Sequence, residues 1–225
     1  MADHPALSRR RLLAFGAGAA SLALTLPRGA AAQACLATPR QTMGPFFPVG
    51  EHPETDVDLT RLAGHSARAQ GQIIHVQGRV LDPDCAPVEG ALVDLWQANA
   101  HGRYAHPADT SKAPLDPDFQ GWGQIATDAQ GRYSFTTIKP AAYALDPRAD
   151  RPVYRTPHLH FRVARRGFVE LSTQMYFAGE ALNETDGILR RIDAAARERV
   201  IIAAGPQDAG LEGPLFRFDI TVQPA

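Results

Sequence analysis

Two histidines one residue apart, His158 and His160, lie in the stretch Tyr154-Arg155-Thr156-Pro157-His158-Leu159-His160-Phe161-Arg162-Val163. From His158 onward polar and apolar residues alternate. Leu159, Phe161 and Val163 share one face of a strand, and His158, His160 and Arg162 share the other. Two imidazoles at i and i+2 can converge on one ion. The same spacing also describes two surface histidines on an amphipathic strand, so the pair alone is a weak signal. A metal would need further donors. Two cysteines cannot build a Cys-rich zinc site, and no acidic residue lies near the pair in sequence. A distant Asp or Glu would complete a ferrous or zinc site. The other oxygen donors are phenols: Tyr104, Tyr133, Tyr143, Tyr154 and Tyr176. A free phenol has a pKa of about 10, and a strongly Lewis-acidic cation deprotonates it. The resulting phenolate is a hard donor that suits Fe(III) over Fe(II). Tyr104 and Tyr143 fall in two long, weakly patterned, Pro-rich segments, 103–120 and 140–157, and long loops in a compact domain are often functional. Tyr133 shares a face with Phe135 and reads as core.

Strands must position these groups. Ile74, Val76 and Val80 alternate with His75, Gln77 and Arg79 within Gln72–Asp82. Ala91, Val93 and Leu95 alternate with Leu92, Asp94 and Trp96. Tyr133, Phe135 and Thr137 follow the turn Asp128-Ala129-Gln130-Gly131, and Phe216, Phe218, Ile220 and Val222 alternate near the C-terminus. Period-2 patterning bounded by Gly, Pro and Asp predicts an all-β sandwich or barrel. One helix is expected from about Glu184 to Arg199, with Ile188, Leu189 and Ile192 as its apolar stripe.

The chain has 225 residues, with 23 Lys+Arg against 24 Asp+Glu. That balance argues against a nucleic-acid binder held by phosphate electrostatics. Residues 1–34 read as an export signal: Arg9-Arg10-Arg11, an uncharged run from Leu12 to Pro27, then Ala30-Ala31-Ala32-Gln33-Ala34. Paired arginines before a mildly hydrophobic core resemble a twin-arginine signal, which carries folded protein. The domain itself is expected over 35–225, periplasmic or secreted and without membrane anchoring after cleavage. Outside the cytoplasm Cys35 and Cys85 would meet oxidising conditions, where they either pair or remain unrelated thiols.

Several motifs together carry a family resemblance. They are Gln41-Thr42-Met43-Gly44-Pro45-Phe46-Phe47, Gly78-Arg79-Val80-Leu81-Asp82, Pro87-Val88-Glu89-Gly90-Ala91, Trp96-Gln97-Ala98-Asn99-Ala100-His101-Gly102-Arg103-Tyr104, Ile138-Lys139-Pro140-Ala141-Ala142-Tyr143, Arg155-Thr156-Pro157-His158-Leu159-His160 and Thr173-Gln174-Met175-Tyr176-Phe177. In this order the chain resembles the intradiol ring-cleavage dioxygenases, in the branch of the iron-bearing (beta) protocatechuate subunits. The resemblance implies an antiparallel β-sandwich with a transthyretin-like core, long active-site loops and a non-haem Fe(III) centre. Its ligands would be Tyr104, Tyr143, His158 and His160. Arg155 aligns with the active-site arginine and Gln174 with a pocket glutamine; Tyr143 doubles as a base for the substrate. The expected reaction opens a catechol between its hydroxylated carbons with O2, giving a cis,cis-muconate-type diacid. Assembly with copies of itself or with a related partner subunit is also implied.

The chain departs from the pattern where Ala144-Leu145 replace an aromatic after Tyr143, and in the charged loop 145–153. The resemblance therefore leaves the ring substituents open, and the export signal points to an extracytoplasmic phenolic. Two other readings stand beside it. One is a non-catalytic binding module on a transthyretin-like sandwich. The other is a ferrous or zinc enzyme using the histidine pair and a carboxylate, with no need of Tyr104 or Tyr143.

Overall fold

The structure, a computed structural model, describes residues 35–50, 54–146, 149–206 and 208–225. The expected signal at 1–34 lies outside the described residues. Eleven strands follow in order: β1 Ile73–Leu81, β2 Leu92–Trp96, β3 Trp122–Ala126, β4 Arg132–Ile138, β5 Tyr143–Ala144, β6 Tyr154–Arg155, β7 His158–Ala164, β8 Leu171–Phe177, β9 Ile201–Ile202, β10 Leu215–Arg217 and β11 Ile220–Thr221. In one sheet β4 runs antiparallel to β1, while β10 and then β11 pair with it in parallel. The other sheet has the order β3-β2-β7-β8-β9. The inward residues of both sheets, among them Val76, Val93, Phe135, Phe161 and Met175, form one buried cluster. Burying each of these side chains is worth about 1.5–3 kcal/mol.

Three expectations need correction. The sheets are mixed rather than purely antiparallel, because β1–β10, β1–β11 and β8–β9 are parallel pairs. The C-terminal strand is broken at Phe218-Asp219. There the Phe218 carbonyl accepts the Tyr133 hydroxyl, and Asp219 accepts the backbone N–H of Arg79 at 2.8 Å. The single helix over 184–199 does not form either. The chain makes two 3-10 turns, Ala181–Glu184 and Leu189–Arg191, and one helical turn, α1 Ala194–Arg197. Asp186 takes the N–H groups of Ile188 and Leu189 into its own carboxylate, both at 2.9 Å. Ile192 and Asp193 are then extended, which ends one turn before the next begins. Leu189 and Ile192 are nonetheless buried, as their stripe implies.

Cys35 and Cys85 are disulfide-bonded. The bond ties the first described residue to the turn after β1, where Cys35 N–H also donates to the Pro83 carbonyl at 2.9 Å. From there residues 36–47 form an arm across the second sheet.

Candidate metal centre

The outward face of the second sheet carries the chemistry. On β7, Leu159, Phe161 and Val163 enter the core, so His158, His160 and Arg162 face the other way. Antiparallel register places Trp96 and Gln174 beside His160, and Tyr176 beside His158. Trp96 lies nearly parallel to the His160 ring, with centroids 4.7 Å apart. The arm covers this face. Gln41 donates to Thr173 Oγ1 and the Gln174 carbonyl, and its own Oε1 accepts the Tyr176 hydroxyl at 2.6 Å. Further along the arm, Phe46 stacks on Tyr104 at 4.5 Å and Phe47 meets Trp96 edge-on.

Two loops bring in the phenols. Asp109 accepts the backbone N–H of Tyr104 at 2.8 Å. The Asn99 side chain closes the preceding turn by accepting from the N–H groups of His101 and Arg103. Gly102 in that turn has φ +75°, and a Cβ there would lie 2.5 Å from the Ala142 carbonyl oxygen. Only glycine lets the Tyr104 loop press this closely against the segment leading to Tyr143. Tyr143 stands on β5, whose pairing with β6 sets it opposite Arg155. The two tyrosine rings end perpendicular, 5.5 Å apart, with Tyr104 6.2 Å from His160 and Tyr143 5.7 Å from His158 between centroids. All four expected ligands are therefore neighbours.

Their protonation fits a cation site. His158 Nδ1–H donates to the Thr156 carbonyl at 2.7 Å, which leaves its Nε2 lone pair free. That nitrogen faces His160 Nε2 at 3.2 Å, a spacing compatible with two bonds of about 2.1 Å to one ion. Burial pushes both imidazoles well below the usual histidine range, and the positive charge of Arg155 adds to the effect. Both are neutral donors at neutral pH. The Tyr104 hydroxyl is buried without a hydrogen bond of ordinary geometry. Burial, then Tyr143, raises its pKa well above that of a free phenol. Burial also raises Tyr143, although Arg155 pulls it back. A protein alone would gain nothing from this cluster of buried, poorly satisfied acceptors and acids; a Lewis-acidic cation would satisfy them and ionise the phenols. Among the described residues no group of three or more His, Cys, Asp or Glu is arranged for a metal ion. The phenols of Tyr104 and Tyr143 are the oxygen donors beside the histidine rings.

Arg155 is buried. It donates through Nε to Asp186 at 2.8 Å and through Nη2 to Gln174 Oε1 and, at 3.5 Å, the Tyr176 hydroxyl. Its salt bridge to Asp186 is buried within the site. Gln174 also donates to the Thr42 carbonyl at 2.9 Å, joining the arm to Arg155. The sequence did not single out Asp186, Gln41 or Phe46, and it offered Tyr176 only as one of five phenols. Gln41, Phe46 and Tyr176 all lie in the motifs that carry the family resemblance, and Tyr176 shares a strand face with Gln174 two residues before it. Asp186 had no comparable signal, because it sat inside an expected helix. Tyr154 is exposed and Tyr133 is core. A groove of about 620 Å³ between Arg79, Arg132 and Arg217 touches none of the four ligand candidates.

Residues 43–224 match the family described as Dioxygenase. The chain belongs to the intradiol ring-cleavage dioxygenases. It is 44% identical over 188 residues to the protocatechuate 3,4-dioxygenase beta chain of Burkholderia cepacia, covering 82% of this chain and 78% of that one. It is 32% identical to hydroxyquinol 1,2-dioxygenase of Rhizobium sp. (strain MTP-10005), covering 77% of this chain but only 60% of that protein. Among solved structures, the dioxygenase domain of a dioxygenase carbohydrate-binding protein fusion from Streptomyces sp. SirexAA-E superposes with a TM-score of 0.59 at 27% identity. That match covers 84% of this chain and 99% of the domain. The chain is thus an oxidoreductase of aromatic catabolism, with the fold of its relatives.

Proposed function

We propose that this protein is an exported, non-haem Fe(III) intradiol dioxygenase, opening a catechol with O2 between its hydroxylated carbons to a cis,cis-muconate-type diacid. The observation that carries the reading is the pair of imidazole Nε2 atoms facing each other at 3.2 Å, flanked by two buried phenols. His158, His160, Tyr104 and Tyr143 would hold the iron. When bound, ferric iron supplies the Lewis acidity that ionises phenols and catechol and the electronic coupling of the ring to O2.

The chain's own residues do the rest. His158 is held in the donor tautomer by Thr156. Trp96 fixes the His160 ring plane. Tyr143 stands opposite Arg155 across the β5–β6 pair, and the guanidinium favours its anion, so Tyr143 is placed to take a substrate hydroxyl proton. Arg155 is preorganised to stabilise negative charge developing on the ring. Phe46, Phe47 and Trp96 exclude water from this face.

The twin-arginine-like segment supports export of a folded, metal-loaded protein, and the Cys35–Cys85 bond supports an oxidising destination. Similarity to a beta chain supports assembly with copies of itself or a related subunit. The purified protein tests the reading. Stoichiometric iron, a red-brown charge-transfer band and its shift to longer wavelength on anaerobic catechol addition are the expected results. A protein that stays colourless after Fe(III) reconstitution would remove the tyrosinate centre.

A further inference from the structure

Arg155 is held by a carboxylate that the iron chemistry does not require. Asp186 is wholly buried. Its Oδ2 accepts Arg155 Nε at 2.8 Å and the Thr156 N–H at 3.0 Å, and its Oδ1 accepts the N–H groups of Ile188 and Leu189. With Nε fixed, Nη2 points to Gln174 and Tyr176. Neighbouring cations are paired elsewhere: Lys139 with Glu180 at 2.6 Å, and Arg162, on the same face of β7 as the histidines, with Asp94 at 2.9 Å. Two small cavities flank Phe46 beside the tyrosines, of about 90 and 60 Å³. Neither is lined by Lys or Arg, and the second includes Asp109.

We propose, resting on the function above, that Asp186 is a positioning residue: it orients the Arg155 guanidinium beside Tyr143 and offsets its charge, so that the site selects catechols whose ring bears no carboxylate. A ring carboxylate entering a buried site loses its hydration and needs a cation or several donors in return. Here the one available guanidinium is already shared between Asp186 and the negative charge that develops on Tyr143 and the substrate hydroxyls, so a ring carboxylate would find no cation of its own. A neutral ring substituent carries no such penalty. Protocatechuate, a carboxylated catechol, is therefore a poor ligand.

The iron-loaded protein is titrated anaerobically with catechol, hydroxyquinol and protocatechuate while the visible spectrum is followed. The wild type binds catechol about tenfold or more tightly than protocatechuate, the effect of one poorly screened unit charge. Asp186→Asn keeps an oxygen for the amides of Ile188 and Leu189 but replaces the Arg155-facing oxygen with a donor. It narrows that ratio about tenfold, whereas a merely structural role would weaken both ligands alike and leave the ratio unchanged. An unchanged ratio in the folded variant overturns the proposal. So does equal or tighter protocatechuate binding by the wild type, a result that needs no variant. A protein that holds no iron, or whose spectrum responds to none of the three, overturns instead the function on which the proposal rests.

Discussion

Tyr104 is where stability and function pull apart. Its hydroxyl is buried with no ordinary hydrogen bond, and an unsatisfied buried polar group costs roughly 1–3 kcal/mol. Tyr104→Phe is therefore expected to leave the metal-free protein as stable or about 1 kcal/mol more stable, while iron content and the charge-transfer band fall sharply. Thermal melts of the apo-protein beside iron assays would check both halves, and a less stable apo-protein that still held iron would refute them. The histidines add a pH signature. Both are held neutral by burial, so each binds its proton less readily folded than unfolded. Above an unfolded-state pKa of about 6.5 the two states bind equal protons at these sites. Below it the unfolded chain binds more, and the folded state loses stability as pH falls. Apo-protein denaturation midpoints should hold steady from pH 8 to 7 and decline below about 6.5; His158→Gln with His160→Gln should flatten that decline.

At the scale of elements, close approach decides the site. Gly102→Ala places a methyl group 2.5 Å from the Ala142 carbonyl oxygen and forces a left-handed φ on alanine. The expected cost is about 1–3 kcal/mol. The strain falls between the Tyr104 and Tyr143 segments, so the charge-transfer band should also shift; a variant with native stability and spectrum would show that the loops have room to yield. This approach was invisible in sequence, because nothing in Asn99-Ala100-His101-Gly102 says which carbonyl lies opposite. The strands were legible. Leu159, Phe161 and Val163 declare their face by alternation, and His158 and His160 follow from it. The helix over 184–199 failed for a local reason. Its apolar spacing was real, since Leu189 and Ile192 are buried, but Asp186 competes for the same amides and turns the chain early. The residue that broke the helix is the one that holds Arg155, so a misread element concealed a functional contact. Parallel pairing of β10 and β11 with β1 was equally hidden, because period-2 patterning reports a face and not a direction.

Across the whole molecule, one covalent bond links the turn after β1 in the first sheet to the cover of the site on the second. Cys35–Cys85 closes a separation of 50 residues, and a loop of that size is worth about 4 kcal/mol through the unfolded chain's lost freedom. The arm that follows is also held without it. Thr38 N–H donates to the Thr221 carbonyl and Gln41 N–H to Ser172. The Thr173 hydroxyl donates to the Pro39 carbonyl, and Tyr176 to the Gln41 side chain. Reduction should therefore destabilise the protein globally without unroofing the site at ambient temperature. Cys85→Ser is expected to lower the unfolding free energy by about 2–4 kcal/mol, while iron content and spectrum stay close to native. Denaturant titrations with and without reductant would measure the first, and the charge-transfer band the second. If reduction instead bleached a still-folded protein, the bond would be holding Phe46 against Tyr104. The side-chain and backbone anchors at Thr38 and Gln41 would then be too weak to keep the arm in place alone.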